Sequence, residues 1–139
     1  IYDYFNSFYH HHFANNSLSI IEKIKKINNL IAFHEEKLAN PILKYISTNN
    51  NFKLIGKKSI ENKNRAPTIS FIVKNKSSKE VSDFLNKNNI ATRNDNFYAW
   101  RCLKALGIDT NDGVIRISIV HYNNKKEIDK LIQVLKKLT

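Results

Sequence analysis

The sequence predicts an α+β fold: a small, mainly antiparallel sheet with helices packed on one face, preceded by a long N-terminal helix. Three observations carry that expectation. Apolar residues recur near helical spacing through 17–39, after Ser77 and after Asn124, whereas 51–56, 67–75 and 112–124 read as strands. The three helical runs open on capping pairs three residues apart: Ser19 with Glu22, Ser77 with Glu80, and Asn124 with Glu127. The chain has 139 residues, 42% of them hydrophobic, which is enough for one domain with its own core.

In chain order, 17–39 is expected as an amphipathic helix with Ile20, Ile24, Ile27, Ile31 and Leu38 on its apolar side. Asn40-Pro41 is expected to act as a cap and first-turn proline, with Ile42, Leu43 and Ile46 continuing the apolar side. "NFKLIG" (51–56) is a short strand ending at Gly56, and the polar, basic 57–66 is a loop or hairpin connection. "PTISFIVKN" (67–75) is a stronger strand. The helix opened by Ser77 has Val81, Phe84 and Leu85 on its apolar side. A short "NIATR" strand follows, then an aromatic-rich helix or loop through "FYAWRCLKALG". The strand in "DGVIRISIVHYNN" and a last helix built on Ile128, Leu131, Ile132, Leu135 and Leu138 complete the order.

Composition limits the function classes. No apolar run approaches the roughly 20 residues a membrane-spanning helix needs, and none resembles a signal peptide. The single cysteine, Cys102, cannot form an internal disulfide, which suits a reducing, cytoplasmic setting. Net charge is +11, from 23 Lys+Arg against 12 Asp+Glu. The lysines are scattered singly or in pairs among asparagine and isoleucine, so they read as a solvated basic surface rather than a specific nucleic-acid face. The chain contains no methionine, and "IYDYFNSFYHHHF" reads like the interior of a longer protein, so a C-terminal fragment is expected.

The run 112–124 poses a chemical question. Alternation puts Ile115, Ile117, Ile119 and His121 on one face, and Val114, Arg116, Ser118 and Val120 on the other. One face is apolar; the other carries a lone fixed cation. Arg116 is either an ordinary strand arginine paired with a nearby acid or the anchor of an external anion. His10-His11-His12 invites a metal reading, but adjacent helical residues point about 100° apart and no Cys or carboxylate cluster supports them. Structural or solvent-facing roles are expected there, and no metal.

The second half of the chain carries a resemblance. "RAPTISFIV", then "NNIATRNDNFYAWRCLKALGI", then "GVIRISIVHYNNKKEIDKLIQVL" together resemble the C-terminal small domain of class V aminotransferases, in their cysteine desulfurase-like branch. "FHEEKLANPIL" looks like the long helix entering that domain. The resemblance implies an organisation in which 1–16 is the tail end of a missing large domain and 17–139 is the small domain. It implies pyridoxal 5′-phosphate (PLP) as the cofactor of the full-length parent, an amino-acid substrate, and a homodimer.

In such enzymes the small domain closes over a cofactor held mainly by the large domain, and an arginine before the last helix holds the substrate's α-carboxylate. Arg116 matches that position. A planar guanidinium fork suits the task, because it makes two parallel charge-assisted bonds to a carboxylate. Arg93 matches a second arginine near the substrate entrance, or is a surface residue ending a short strand. Phe97 and Tyr98 read as part of the active-site wall. Arg65 matches an arginine read as structural, and Asn123 of His121-Tyr122-Asn123 as a turn and cap residue.

Two departures bear on activity. Desulfurases place a reactive cysteine shortly after the arginine corresponding to Arg93, and here Tyr98 stands near that position, with Cys102 about a turn further on. Cys102 is expected to be a half-buried structural thiol, so a deaminase-, lyase- or transaminase-like reaction fits as well as persulfide chemistry. No lysine stands in the family's Schiff-base motif, and with 3 glycines there is no Gly-rich phosphate cradle. The isolated chain is therefore expected to bind no PLP and to hold no catalytic residue of its own. The alternatives are a free-standing basic nucleic-acid-binding module and an inactive remnant.

Overall fold

The computed structural model describes residues 1–14, 17–60 and 65–138. Along the chain these form α1 (Tyr2–His12), α2 (Ile20–Thr48), β1 (Phe52–Ile55), β2 (Thr68–Val73), α3 (Ser78–Lys87), β3 (Arg93–Asp95), α4 (Trp100–Ala105), β4 (Val114–Ser118) and α5 (Lys125–Leu135). A 3-10 turn, Lys136–Leu138, ends the described chain. The expected α+β class holds. The strands form one sheet in the order β1-β2-β4-β3, every neighbouring pair antiparallel.

The core lies on one face of that sheet. Phe52, Ile69, Phe71, Val73, Ile115 and Ile117 point into it, as alternation requires. Leu38, Ile42, Leu43 and Ile46 of α2, Val81 and Leu85 of α3, and Ile128, Leu131, Val134 and Leu135 of α5 cover them. Each such side chain contributes roughly 1.5–3 kcal/mol by leaving water. The opposite face carries a smaller cluster, Leu103, Ile108 and Val114, packed by Ile55, Ile72 and Phe97. The short α4 thus lies across the sheet from the three longer helices.

All three capping pairs form as reciprocal boxes. Ser19, Ser77 and Asn124 accept from the N–H groups of Glu22, Glu80 and Glu127, whose carboxylates reach back to the cap N–H. Three elements differ from expectation. Helix α2 does not stop at Asn40-Pro41; Pro41 lies inside it, exposed, and the helix runs on to Thr48. A proline inside a helix loses one N–H bond and costs about 3 kcal/mol. Burial of Ile42, Leu43 and Ile46 just beyond it outweighs that cost.

The strand expected at "NIATR" begins only at Arg93. Asn89, with φ 57°, instead ends α3 in a Schellman motif. The Ile90 N–H donates to the Leu85 carbonyl at 3.0 Å, and the Asn89 N–H to Asn86 at 2.9 Å. Helix α1, with Tyr9 fully buried, was not expected as an element at all. The expected boundary after residue 16 and part of the 57–66 connection fall on residues outside those described.

Candidate functional site

Register brings the two candidate substrate arginines together. In the antiparallel ladders Ile55 pairs with Ser70, Ser70 with Arg116, and Arg116 with Arg93. Arg116 and Arg93 therefore stand directly opposite one another on the face away from α2, α3 and α5. Directly opposed side chains on a sheet have Cβ atoms about 4.5–5.5 Å apart, and like charges at that position are destabilising. An acid between them would relieve the repulsion. Among the described residues neither arginine has one, and ion pairs form elsewhere, at Lys79–Asp83 and Lys125–Asp129. Asp95, which shares the face, turns a carboxylate oxygen back to the N–H of Asn96 at 2.6 Å.

What touches Arg116 is an aromatic ring. Its guanidinium carbon lies 4.0 Å from the centre of the Phe97 ring. Phe97 sits in the turn leaving β3, where the Ala99 N–H donates to the Asn96 carbonyl at 2.9 Å. Phe97 and Tyr98, the two central residues, have φ of 52° and 60°. Two positive φ values in succession are the sign pattern of a type I′ turn, which favours Asn and Gly. Bulky residues held there cost roughly 1–3 kcal/mol each. Asn96 braces the turn: its Oδ1 accepts from the Tyr98 N–H at 3.0 Å and its Nδ2 donates to the Thr110 carbonyl at 3.3 Å.

The edge strand carrying Arg93 is fastened from three sides. Asn94 donates to Ser78 Oγ at 3.1 Å, and that hydroxyl donates to the Asp112 carbonyl at 2.6 Å. The Ser78 N–H meets the Asp112 carboxylate at 2.8 Å, and Ser82 pairs with Thr92 at 3.4 Å. Gly113, at φ 74°, lets the backbones meet, since a Cβ there would lie 2.3 Å from the Asp95 carbonyl carbon and oxygen. No motif in the sequence marks Ser78, Asn94 and Asp112 as a network; only the fold joins them.

The remaining candidates separate. Tyr98, expected in the same wall as Phe97, is 97% exposed at the tip of the turn. Cys102, expected to be half-buried, is exposed on α4, because Leu103 takes the position facing the sheet. Arg65 donates to the carbonyls of Lys57, Ala66 and Thr68, the last at 2.7 Å. Burial pushes its pKa down from the ordinary value. It ties backbone together, a structural role. Asn123 likewise closes a turn: its Oδ1 accepts from the Val120 N–H at 2.9 Å and its Nδ2 donates to Glu127 at 3.2 Å.

His10, His11 and His12 are exposed, and among the described residues no group of three or more His, Cys, Asp or Glu could hold a metal. A contact that helps dock α1 has no signal in the sequence. His121 Nε2 is hydrogen-bonded to the Tyr4 hydroxyl at 2.6 Å, and Phe8 lies beside both rings. His34 Nε2 meets the Asn123 carbonyl at 2.9 Å. Burial raises the pKa of the neighbouring Glu35, with His121 and His34 opposing the shift.

The description "Aminotransferase class-V" belongs to the family whose sequence profile matches residues 14–131. This chain is a class V aminotransferase family member. A relative from Gibberella zeae, aminotransferase-like protein FGM3, is 31% identical over 115 residues. That match takes in 82% of this chain but 29% of the relative, so the chain spans well under half the length of the curated family member it matches. The fold agrees. The apo cysteine desulfurase of Thermococcus onnurineus NA1 superposes with a TM-score of 0.69 at 25% identity, over 84% of this chain and 28% of that one. The Escherichia coli cysteine desulfurase CsdA gives 0.64 at 20% identity, over 76% of this chain and 24% of its own.

The described residues do not fit a PLP site. The described lysines are exposed apart from Lys23, which is half-buried and lies 5.2 Å from the centre of the Tyr9 ring. Gly56, Gly107 and Gly113 lie in three separate turns, so they form no Gly-rich phosphate cradle. Among the described residues, no helix of this family member is long and apolar enough to cross a membrane.

Proposed function

We propose that residues 17–139 are the C-terminal small domain of a PLP-dependent, cysteine desulfurase-like enzyme acting on an amino acid, and that 1–16 end its large domain. The domain closes the active site, and Arg116 anchors the substrate's α-carboxylate, with Arg93 beside it. One observation carries this reading: two arginines face each other across β3 and β4 with no acid between them among the described residues. A carboxylate from outside would turn their repulsion into attraction, and a guanidinium fork would fix its orientation.

PLP, when bound in the full-length enzyme, supplies an electron sink for the amino acid's α-carbon. The large domain would provide its lysine, acid and phosphate site. A cytoplasmic homodimer completes the proposal. Cys102 on α4 and Tyr98 at the turn leave the reaction open between persulfide chemistry and a lyase, deaminase or transaminase step.

The test is steady-state kinetics on the full-length enzyme. Arg116→Ala should lower kcat/KM for an amino-acid substrate about 10-fold or more while PLP stays bound. Arg116→Lys should restore activity only in part, because the charge returns without the fork. Unchanged kinetics in Arg116→Ala would end the carboxylate-anchor reading. As a check on the cofactor's place, this chain mixed with PLP and reduced with borohydride should show no single lysine labelled stoichiometrically.

A further inference from the structure

We propose that Phe97 is a positioning residue for Arg116: the ring holds the guanidinium plane in place without occupying its donors. The inference rests on the carboxylate-anchor reading and adds to it the device that keeps the anchor ready.

A strand arginine needs something to hold it. An acid would do so by taking up the N–H fork and the charge, leaving nothing for a ligand. An aromatic face does it differently. The five guanidinium donors lie in the plane of the group, so a ring against its face leaves the in-plane edges open. Here the ring centre lies 4.0 Å from the Arg116 guanidinium carbon, at the distance of a cation–π contact. Arg116 is half-buried, so its reach is restricted by packing as well as by the ring.

The ring is itself held firmly. Phe97 packs on the cluster of Leu103, Ile108 and Val114. Its backbone has φ 52°, a conformation a phenylalanine adopts only when its surroundings impose it. The imposing contacts are the Asn96 bonds to Tyr98 and Thr110 and the close approach of Gly113 to Asp95. An extended backbone at Phe97 would carry the ring off the arginine. The strained turn and the free fork are thus two parts of one arrangement.

The test uses the PLP-loaded full-length enzyme and equilibrium binding. The 20 common L-amino acids are screened, and the tightest binder is compared with its carboxamide in the parent and in Phe97→Leu, Phe97→Trp and Arg116→Ala. Phe97→Leu keeps apolar bulk but removes the ring. It should weaken the carboxylate ligand roughly 3- to 10-fold and leave the carboxamide unchanged, and Phe97→Trp should recover most of the loss. Melting temperatures of the Leu and Trp variants should agree, which separates positioning from stability. Equal weakening of both ligands in Phe97→Leu, or no weakening of either, would overturn the inference. If Arg116→Ala loses the carboxylate preference while Phe97→Leu keeps it, the anchor stands and only the role of Phe97 fails. If Arg116→Ala keeps the preference, or no amino acid binds, the anchor fails and takes this inference with it.

Discussion

The two faces of the sheet are built to opposite rules. On the covered face, Phe71, Ile69, Ile115 and Ile117 meet α2, α3 and α5, and the alternation of the strands agrees with the global fold. On the other face, two arginines oppose each other and two aromatic residues sit in left-handed backbone. The same strands make both faces, so the contrast is not a matter of poor material. Local conflict tolerated in one place, beside a packed core that can carry it, marks where the chain serves something other than its own stability.

The contrast can be broken most severely from the covered side. Phe71, fully buried and in contact with Phe52, should cost about 3–5 kcal/mol on truncation to alanine, read by denaturant unfolding. A loss below about 1 kcal/mol would mean the core is not where we place it. Gly113→Ala should cost about 2–3 kcal/mol, since its Cβ would collide with the Asp95 backbone at a positive φ. That loss should come with disorder in β3, visible as lost amide protection at Arg93–Asp95.

Removing the α5 cap by Asn124→Ala should cost about 1 kcal/mol and leave ligand binding untouched. The smallest effect is a pH dependence. The Ser77 N–H and then its hydroxyl hold Glu80 below its ordinary value of 4.5. The unfolded chain therefore takes up the proton more readily, and the stability this carboxylate contributes is present above pH 4.5 and lost as pH falls through its folded pKa. Glu80→Gln should flatten the acid side of a stability–pH curve, and an unchanged slope would show the box to be energetically silent. Glu35 has the opposite sign: its raised pKa favours the folded state at low pH, and that contribution fades as pH rises through the folded value.

Much of this was legible in the sequence, for identifiable reasons. Capping boxes are local, and all three are legible in the pairs Ser19–Glu22, Ser77–Glu80 and Asn124–Glu127. Alternation in 114–119 placed Arg116 on the face away from the core. The failures were contests between local and distant terms. Pro41 is a local stop signal overridden by the burial of Ile42, Leu43 and Ile46. At Asn89-Ile90 the β-like residues were claimed by the end of α3 instead. That Arg93 faces Arg116 depends on strand register, which neither strand reveals alone, and the Phe97 contact depends on a turn whose residues are unusual for it.

Among the described residues, no acid offsets the repulsion between Arg93 and Arg116. A double-mutant cycle tests it: Arg93→Thr, Arg116→Leu and the pair, each measured by equilibrium unfolding at low and high salt. We expect an unfavourable coupling of roughly 0.2–1 kcal/mol between the two arginines that shrinks with added salt, and single variants no less stable than the parent. A favourable coupling, or a loss of several kcal/mol on removing either arginine, would mean that the two side chains hold the fold together, and would contradict that expectation.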